Sequence, residues 1–348
     1  MTGHGSNGHG NSKRGRVTLR DVAEAAGTSR STASRALAGN GYVADSIKAR
    51  IQEAADRLGY VPDVSARTLK GQSSGLVGLL VSDLRNQFYA QLAAGVEQTL
   101  AAAGQQLVLV DDHGSEDQAA AGARAFLSMR AAGVLLAPVG KAATQALVDR
   151  GMPVVEVDRR SGVRGCDSVT IDSELGAREA VGHLLARGHR RIAMITDETA
   201  WDTGQARLKG YRAAHREAGV PVSRRLVLTL GLRPADPIGD VSAFLDQNPD
   251  VTAVFAANNV VGEAVWQELK RRGQRVPADC SLVCFDDMTW MRMVEPGVTA
   301  VRQPVYDMGV RAAEMLLKRA TGIGGRPAAE VLQPELVERG STLAVPQR

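Results

Sequence analysis

The apolar positions of this chain follow two rhythms. Between Val17 and Gly59 they recur at three- and four-residue steps in three short runs, punctuated by Gly27, by Gly39-Asn40-Gly41 and by Gly59, which predicts three short helices. In the first, Val22, Ala23 and Ala26 share an inner face. Thr18 stands as its N-cap, with Asp21 three positions on as the reciprocal acid of a capping box. Ser29 is the natural N-cap of the second, Arg30 to Ala38, with Ala33 and Leu37 inward and Arg30, Ser31, Ser34 and Arg35 outward. The third opens near Asp45, and its stripe of Ile47, Ile51, Ala54 and Leu58 closes a small core.

Past a connector, Pro62 to Gln72, the rhythm changes. Gly75 to Val81, Gln106 to Val110, Gly133 to Ala137, Pro153 to Val157, Arg191 to Thr196, Ala253 to Ala257 and Ser281 to Phe285 are β-rich, nearly continuous apolar runs, most of them separated by amphipathic helical stretches. Such strands are buried on both faces, so the pattern predicts an α/β fold with parallel sheets in two doubly wound lobes. The boundaries this implies are a flexible tail over 1–15, a helical head over 16–62, a connector over 63–72 and a two-lobed core over 73–345. No apolar run approaches the roughly 20 residues that span a bilayer.

Charge sharpens the division. Of 42 Lys and Arg and 38 Asp and Glu, residues 1–72 hold 11 basic against 6 acidic, leaving 31 against 32 for the core. A basic head on a near-neutral body suits a phosphate-binding module tethered to a sensing domain. The tail, rich in Gly, Ser, Asn and His, lacks the apolar stretch of a secretory signal. Its His4 and His9 have no Cys or carboxylate at ligand spacing, so no metal or other cofactor is expected. Cys166, Cys280 and Cys284 are odd in number and far from zinc-type spacing, which fits reduced thiols filling a core in a cytoplasmic protein.

From Thr18 to Leu37 the order is helix, Gly-containing turn, then a second capped helix with polar residues outward, the helix-turn-helix layout. Residues 17–72 resemble the head of the lactose-repressor (LacI/GalR) family, and the similarity continues to about residue 345. The resemblance implies a DNA-binding head, a hinge helix and a core of periplasmic-binding-protein type. It makes Arg30, Ser31 and Arg35 base readers in the major groove, with Ser29, Thr32 and Ser34 on phosphates and Thr18 among the DNA contacts. An Arg can donate twice to guanine, a contact worth about 1–3 kcal/mol of discrimination. Within Asp63 to Lys70, Leu69 matches the family's intercalating leucine, Ala66 is small enough for close approach, and Arg67 and Lys70 reach phosphate. Outside that resemblance Leu69 reads as a packing residue. Two heads imply a homodimer on a near-palindromic operator, and no heptad segment follows Glu338 to Leu343 to build a tetramer.

In parallel α/β lobes, ligands sit at the carboxyl ends of strands. Asp83, Asn86-Gln-Phe-Tyr, Asp158-Arg159, Asn258-Asn259 and Asp286-Asp287 lie at those ends in this sequence. By resemblance, Asp158, Arg207, Asn258 and Asp286 hydrogen-bond an effector, and Phe88, Tyr89, Trp201 and Thr203 wall its pocket. Carboxylates, amides and an Arg fork beside aromatic faces suit a sugar, while the aromatics leave a purine or nucleoside open. Asn259 stands where the family usually has Asp, and Cys284 where it usually has Gly.

The resulting expectation is a cytoplasmic, nucleoid-associated transcription regulator, a repressor by family habit. An enzyme is the first rival. The chain has no GxGxxG after a strand, Walker loop, GxSxG elbow or HExxH, and only Asp286-Asp287 offers a paired carboxylate. A transport-type solute-binding protein is the second, which the core alone would fit and the head argues against.

Overall fold

A computed structural model describes residues 17–38, 41–60, 74–197, 199–231, 234–323 and 325–345. The chain divides into two compact units, residues 1–72 and 73–348. Ala66, Arg67, Leu69 and Lys70 of the connector, like His4 and His9, lie outside the described residues.

The first unit contains α1 (Leu19–Ala25), α2 (Arg30–Ala38) and α3 (Asp45–Leu58). Thr18 and Asp21 form the capping box reciprocally at the start of α1, and the Ser29 hydroxyl accepts from the Thr32 backbone N–H at 3.1 Å, capping α2. Gly59 ends α3 at φ 65°, a left-handed cap that favours a residue without a Cβ. Val22, Ala23, Ala26, Ala33, Ala36, Ile51, Ala54 and Ala55 are buried. The inner face of α2 is therefore Ala33 and Ala36, with Leu37 packed at its margin.

The second unit has two six-stranded sheets. Lobe 1 contains β1 (Leu76–Val81), β2 (Gln106–Asp111), β3 (Gly133–Leu136), β4 (Val154–Val157), β5 (Asp167–Ile171) and β11 (Ala329–Leu332), in the order 11-5-4-3-1-2. Lobe 2 contains β6 (Ile192–Thr196), β7 (Val227–Thr229), β8 (Ala253–Ala256), β9 (Ser281–Phe285), β10 (Thr299–Arg302) and β12 (Glu335–Val337), in the order 12-10-9-8-6-7. α4 (Gln87–Ala102) and α12 (Val305–Ala320) cover one face of sheet 1, and α5 (Glu116–Ser128) and α6 (Ala142–Val148) the other. In lobe 2, α7 (Ser173–Ala186) and α8 (Asp202–Glu217) lie opposite α9 (Pro237–Gln247) and α10 (Asn259–Arg271). Short α11 (Thr289–Met293) follows β9.

All pairings are parallel except β12 with β10, which is antiparallel. Five strands went unread for one reason. β5, β7, β10, β11 and β12 are three to five residues long, and several mix polar with apolar residues, so they lack a continuous apolar run. β4 also passes to β5 without a helix. The chain moves between lobes three times, after β5, after β10 and after β11, and two of these crossings touch where Asp172 N–H donates to the Leu332 carbonyl at 3.0 Å.

Glycines set a close helix crossing. A methyl at Gly309 of α12 would run into the Leu92 carbonyl of α4, and one at Gly95 would meet the Tyr306 carbonyl in return. The two helices touch backbone to backbone there, with no room for overpacking. Gly309→Ala is expected to lower the stability of the core by about 1–3 kcal/mol, read as a reduced midpoint in chemical denaturation.

Candidate functional site

The cleft between the lobes encloses a cavity of about 370 Å³, within the range of small-molecule sites. The segments that follow β1, β4, β6, β7, β8, β9 and β10 reach it from the carboxyl ends of their strands. Phe88, Tyr89, Asp158, Trp201, Thr203, Arg207, Asn258 and Asp286 all lie on its walls. Asp83, Asn86, Arg159 and Asn259 line it as well, joined by Ser82, Asp197, Glu263 and Gln303, none of which sequence reasoning singled out. Gln303 follows β10, a strand that was itself unread.

Arg159 forms the floor. It is 2% exposed, and its Nη2 donates to Ser82 Oγ at 2.6 Å and to Tyr89 Oη at 2.8 Å. Its Nε lies 3.4 Å from Asp158 Oδ2, and its guanidinium rests 3.8 Å from the centre of the Trp201 ring. Neither Nε nor Nη1 makes a hydrogen bond among the described residues. Across the cleft, Arg207 Nη1 donates to the Ala257 carbonyl at 2.7 Å while the guanidinium stacks 3.9 Å from the Phe285 ring. Its Nε is likewise unpartnered among the described residues.

The carboxylates sit under different constraints. Asp158 and Asp286 adopt φ of 65° and 70° directly after β4 and β9, a region that non-glycine residues seldom occupy and that clusters at functional sites. Burial pushes the Asp158 carboxyl up to about 6, against the opposing pull of Arg159 and Arg207. Asp286 Oδ2 accepts from the Asn259 backbone N–H at 3.1 Å and from its side-chain amide at 3.2 Å, and Oδ1 accepts from Gln303. Asp287 turns away from the cavity. Its Oδ2 accepts from Arg339 at 2.8 Å and Arg302 at 3.1 Å, with Arg292 at 3.4 Å. Burial alone would raise its pKa, but these guanidinium groups outweigh that and hold it below the usual carboxylate range. The two neighbouring carboxylates thus diverge, and no paired acid–base site forms.

Five contacts among the described residues tie the lobes across the cleft. Arg160 N–H donates to Asp202 Oδ2 at 2.9 Å, Asn259 Nδ2 to Asn86 Oδ1 at 2.9 Å, and Gln87 Nε2 to Thr289 Oγ1 at 3.0 Å. Thr289 N–H donates back to Gln87 Oε1 at 3.3 Å, and the Arg159–Trp201 stack is the fifth.

In the head, Arg30, Ser31 and Arg35 are exposed on α2 and Ser34 is half-buried. The two guanidinium groups have no ion-pair partner among the described residues. The Ser29 hydroxyl is shared, lying 2.8 Å from both Ser31 Oγ and Thr32 Oγ1, and the Thr18 hydroxyl is engaged with Asp21. A polar helix face thus carries Arg donors that are uncommitted among the described residues, beside a Ser31 hydroxyl already engaged with Ser29.

A helix-turn-helix unit on one chain with a two-lobed binding core is the architecture of a ligand-responsive regulator rather than an enzyme. Residues 18–63 match the model of bacterial regulatory proteins of the lacI family, and residues 181–342 match a periplasmic binding protein-like domain. The HTH-type transcriptional regulator CelR of Thermobifida fusca is 35% identical over 339 residues, covering 94% of this chain and 99% of that protein. A solved CelR–cellobiose complex is 33% identical with a TM-score of 0.70, covering 94% of this chain and all of the other. The lac repressor dimer bound to operator and an anti-inducer shares the fold at a TM-score of 0.83 and 24% identity, over 95% of this chain and all of that one. The chain belongs to the lacI family of bacterial transcription regulators.

The raised Asp158 pKa has a measurable consequence. A carboxyl whose folded pKa lies above its unfolded value of 3.8 contributes its full stability below about pH 4, and loses it as pH rises through about 6. Asn tolerates the same left-handed backbone without the charge. Asp158→Asn is therefore expected to match the parent near pH 4 and to exceed its stability by up to about 3 kcal/mol at pH 8, measured by denaturant unfolding of the ligand-free chain at both pH values.

Proposed function

We propose that this chain is a repressor that binds a near-palindromic operator as a homodimer and is controlled by a neutral sugar held in the cleft. In this reading residues 16–62 bind DNA, 63–72 form the hinge and 73–345 bind effector and dimerise, on the nucleoid in the cytoplasm. The observation that carries the sugar assignment is the cleft's polar inventory. The carboxylates of Asp158 and Asp286, the Asn258 amide and the guanidinium groups of Arg159 and Arg207 line one cavity, and a hydroxyl can serve both donors and acceptors. Acidic wall residues Asp83, Asp158, Asp197, Glu263 and Asp286 outnumber Arg85, Arg159 and Arg207, which disfavours an anion. The similarity to CelR, solved with cellobiose, supports the same class. Phe88 and Tyr89 meet edge to face at 87° and so offer no parallel slot for a flat base.

Asp158, Asn258 and Asp286 take hydroxyls, Arg207 adds donors from lobe 2, and Phe88, Tyr89, Trp201 and Thr203 shape the walls. The effector acts only through its preference between lobe arrangements. In the head, Arg30, Ser31 and Arg35 read bases, while Thr18, Ser29, Thr32 and Ser34 and the hinge residues Ala66, Leu69 and Lys70 position the duplex.

A thermal-shift panel of cellobiose, glucose, ribose and adenine tests the effector class. A sugar should raise the melting temperature, as a ligand specific to the native state must, and Arg207→Ala should abolish the shift while leaving ligand-free DNA binding near normal. Stabilisation by adenine alone would reassign the pocket. On DNA selected from random sequence at fixed salt, Arg35→Ala is expected to relax discrimination at one base position by about 1–3 kcal/mol. An equal loss for all sequences would make Arg35 a phosphate contact.

A further inference from the structure

Resting on the reading of the cleft as the effector site, we propose that Asn259 is a positioning residue whose single side-chain amide ties the ligand-facing carboxylate of lobe 2 to lobe 1. It thereby sets the resting balance between lobe arrangements. Asn259 is the first residue of α10 and is 7% exposed. Its Nδ2 donates in two directions, to Asp286 Oδ2 at 3.2 Å within lobe 2 and to Asn86 Oδ1 at 2.9 Å on lobe 1.

The orientation of that amide is fixed by its partners. Asn86 Oδ1 also accepts from the Phe88 backbone N–H at 2.9 Å, as the N-cap of α4, so Asn86 presents its oxygen. Asp286 presents a carboxylate oxygen. Both neighbours are acceptors, and only a donor at 259 satisfies them. An Asp there would set a carboxylate against the Asp286 carboxylate and the Asn86 oxygen, turning two attractions into two repulsions.

The strap also meets the ligand directly. A sugar hydroxyl that donates to Asp286 Oδ2 competes with the Asn259 amide for the same oxygen, so binding loosens the anchor within lobe 2 from which that amide reaches Asn86 on lobe 1. The shift it causes equals the difference in its interaction with the two arrangements.

Amide hydrogen exchange on the full, ligand-free chain tests the proposal, with the Arg160 amide as reporter. That N–H donates across the cleft to Asp202 and makes no contact with Asn259, so only a change in lobe balance reaches it. Asn259→Asp and Asn86→Ala should each speed Arg160 exchange roughly threefold to tenfold, the scale of one net hydrogen bond. Asn86→Asp, which keeps the helix cap and offers Asn259 a charged acceptor, should leave it unchanged or slower. Unaltered Arg160 exchange in Asn86→Ala and in a folded Asn259→Asp would overturn the proposal. Because no effector enters the experiment, failure of the sugar assignment and failure of the strap are read separately.

Discussion

Burying a guanidinium obliges the surrounding chain to supply acceptors, since an unpaired buried cation costs several kcal/mol. Arg159 is the point at which this protein meets that obligation. The segment after β1 provides Ser82, the first turn of α4 provides Tyr89, and the neighbouring Asp158 provides the counter-charge. Lobe 2 adds the Trp201 ring. Burial raises the pKa of the Asp158 carboxyl against the pull of that cation, and its backbone takes a left-handed conformation directly after β4. Two donors of the same guanidinium remain without hydrogen bonds among the described residues, so hydrogen bonding offsets the burial of this cation only in part and the ion pair and ring stack supply the rest.

Much of this was legible in the sequence, for identifiable reasons. Capping residues act locally, so Thr18 with Asp21 and Ser29 announced α1 and α2 without help from tertiary structure. Central strands buried on both faces leave continuous apolar runs, and Gly75 to Val81 or Ser281 to Phe285 could hardly be read otherwise. The rule that α/β ligands gather at strand carboxyl ends, with the family resemblance, brought eight named residues to one cavity. Edge and hinge strands were illegible because their pairing is nonlocal. β11 and β12 belong to different sheets yet are separated by two residues, and nothing in their composition announces the crossing. Gln303 was missed along with its strand, and Asp197 because a single Asp after a strand looks like any turn residue.

Cys284 and Asn259 play separate physical parts. Cys284 fills volume: a methyl placed on Gly262 of α10 would fall 2.7 Å from its Sγ, so this pair fits as a small residue beneath a thiol. Burial pushes the thiol pKa far up, which makes it packing material and not a nucleophile. Asn259 concerns charge, because its amide replaces a potential repulsion at Asp286 with two hydrogen bonds. One residue therefore fills the core behind the cleft, and the other joins its walls.

The central claim is that the cleft and the helix-turn-helix unit share one free energy. Linkage requires that the factor by which a ligand changes DNA affinity equal the factor by which DNA changes ligand affinity. The direct test is calorimetric titration of a stabilising sugar into the free protein and into its operator complex at one salt concentration, set against operator binding with and without that sugar. The account predicts equal factors, on the order of 5–150 for a coupling of about 1–3 kcal/mol. A sugar that binds equally well with and without operator, and leaves operator affinity untouched, would contradict it.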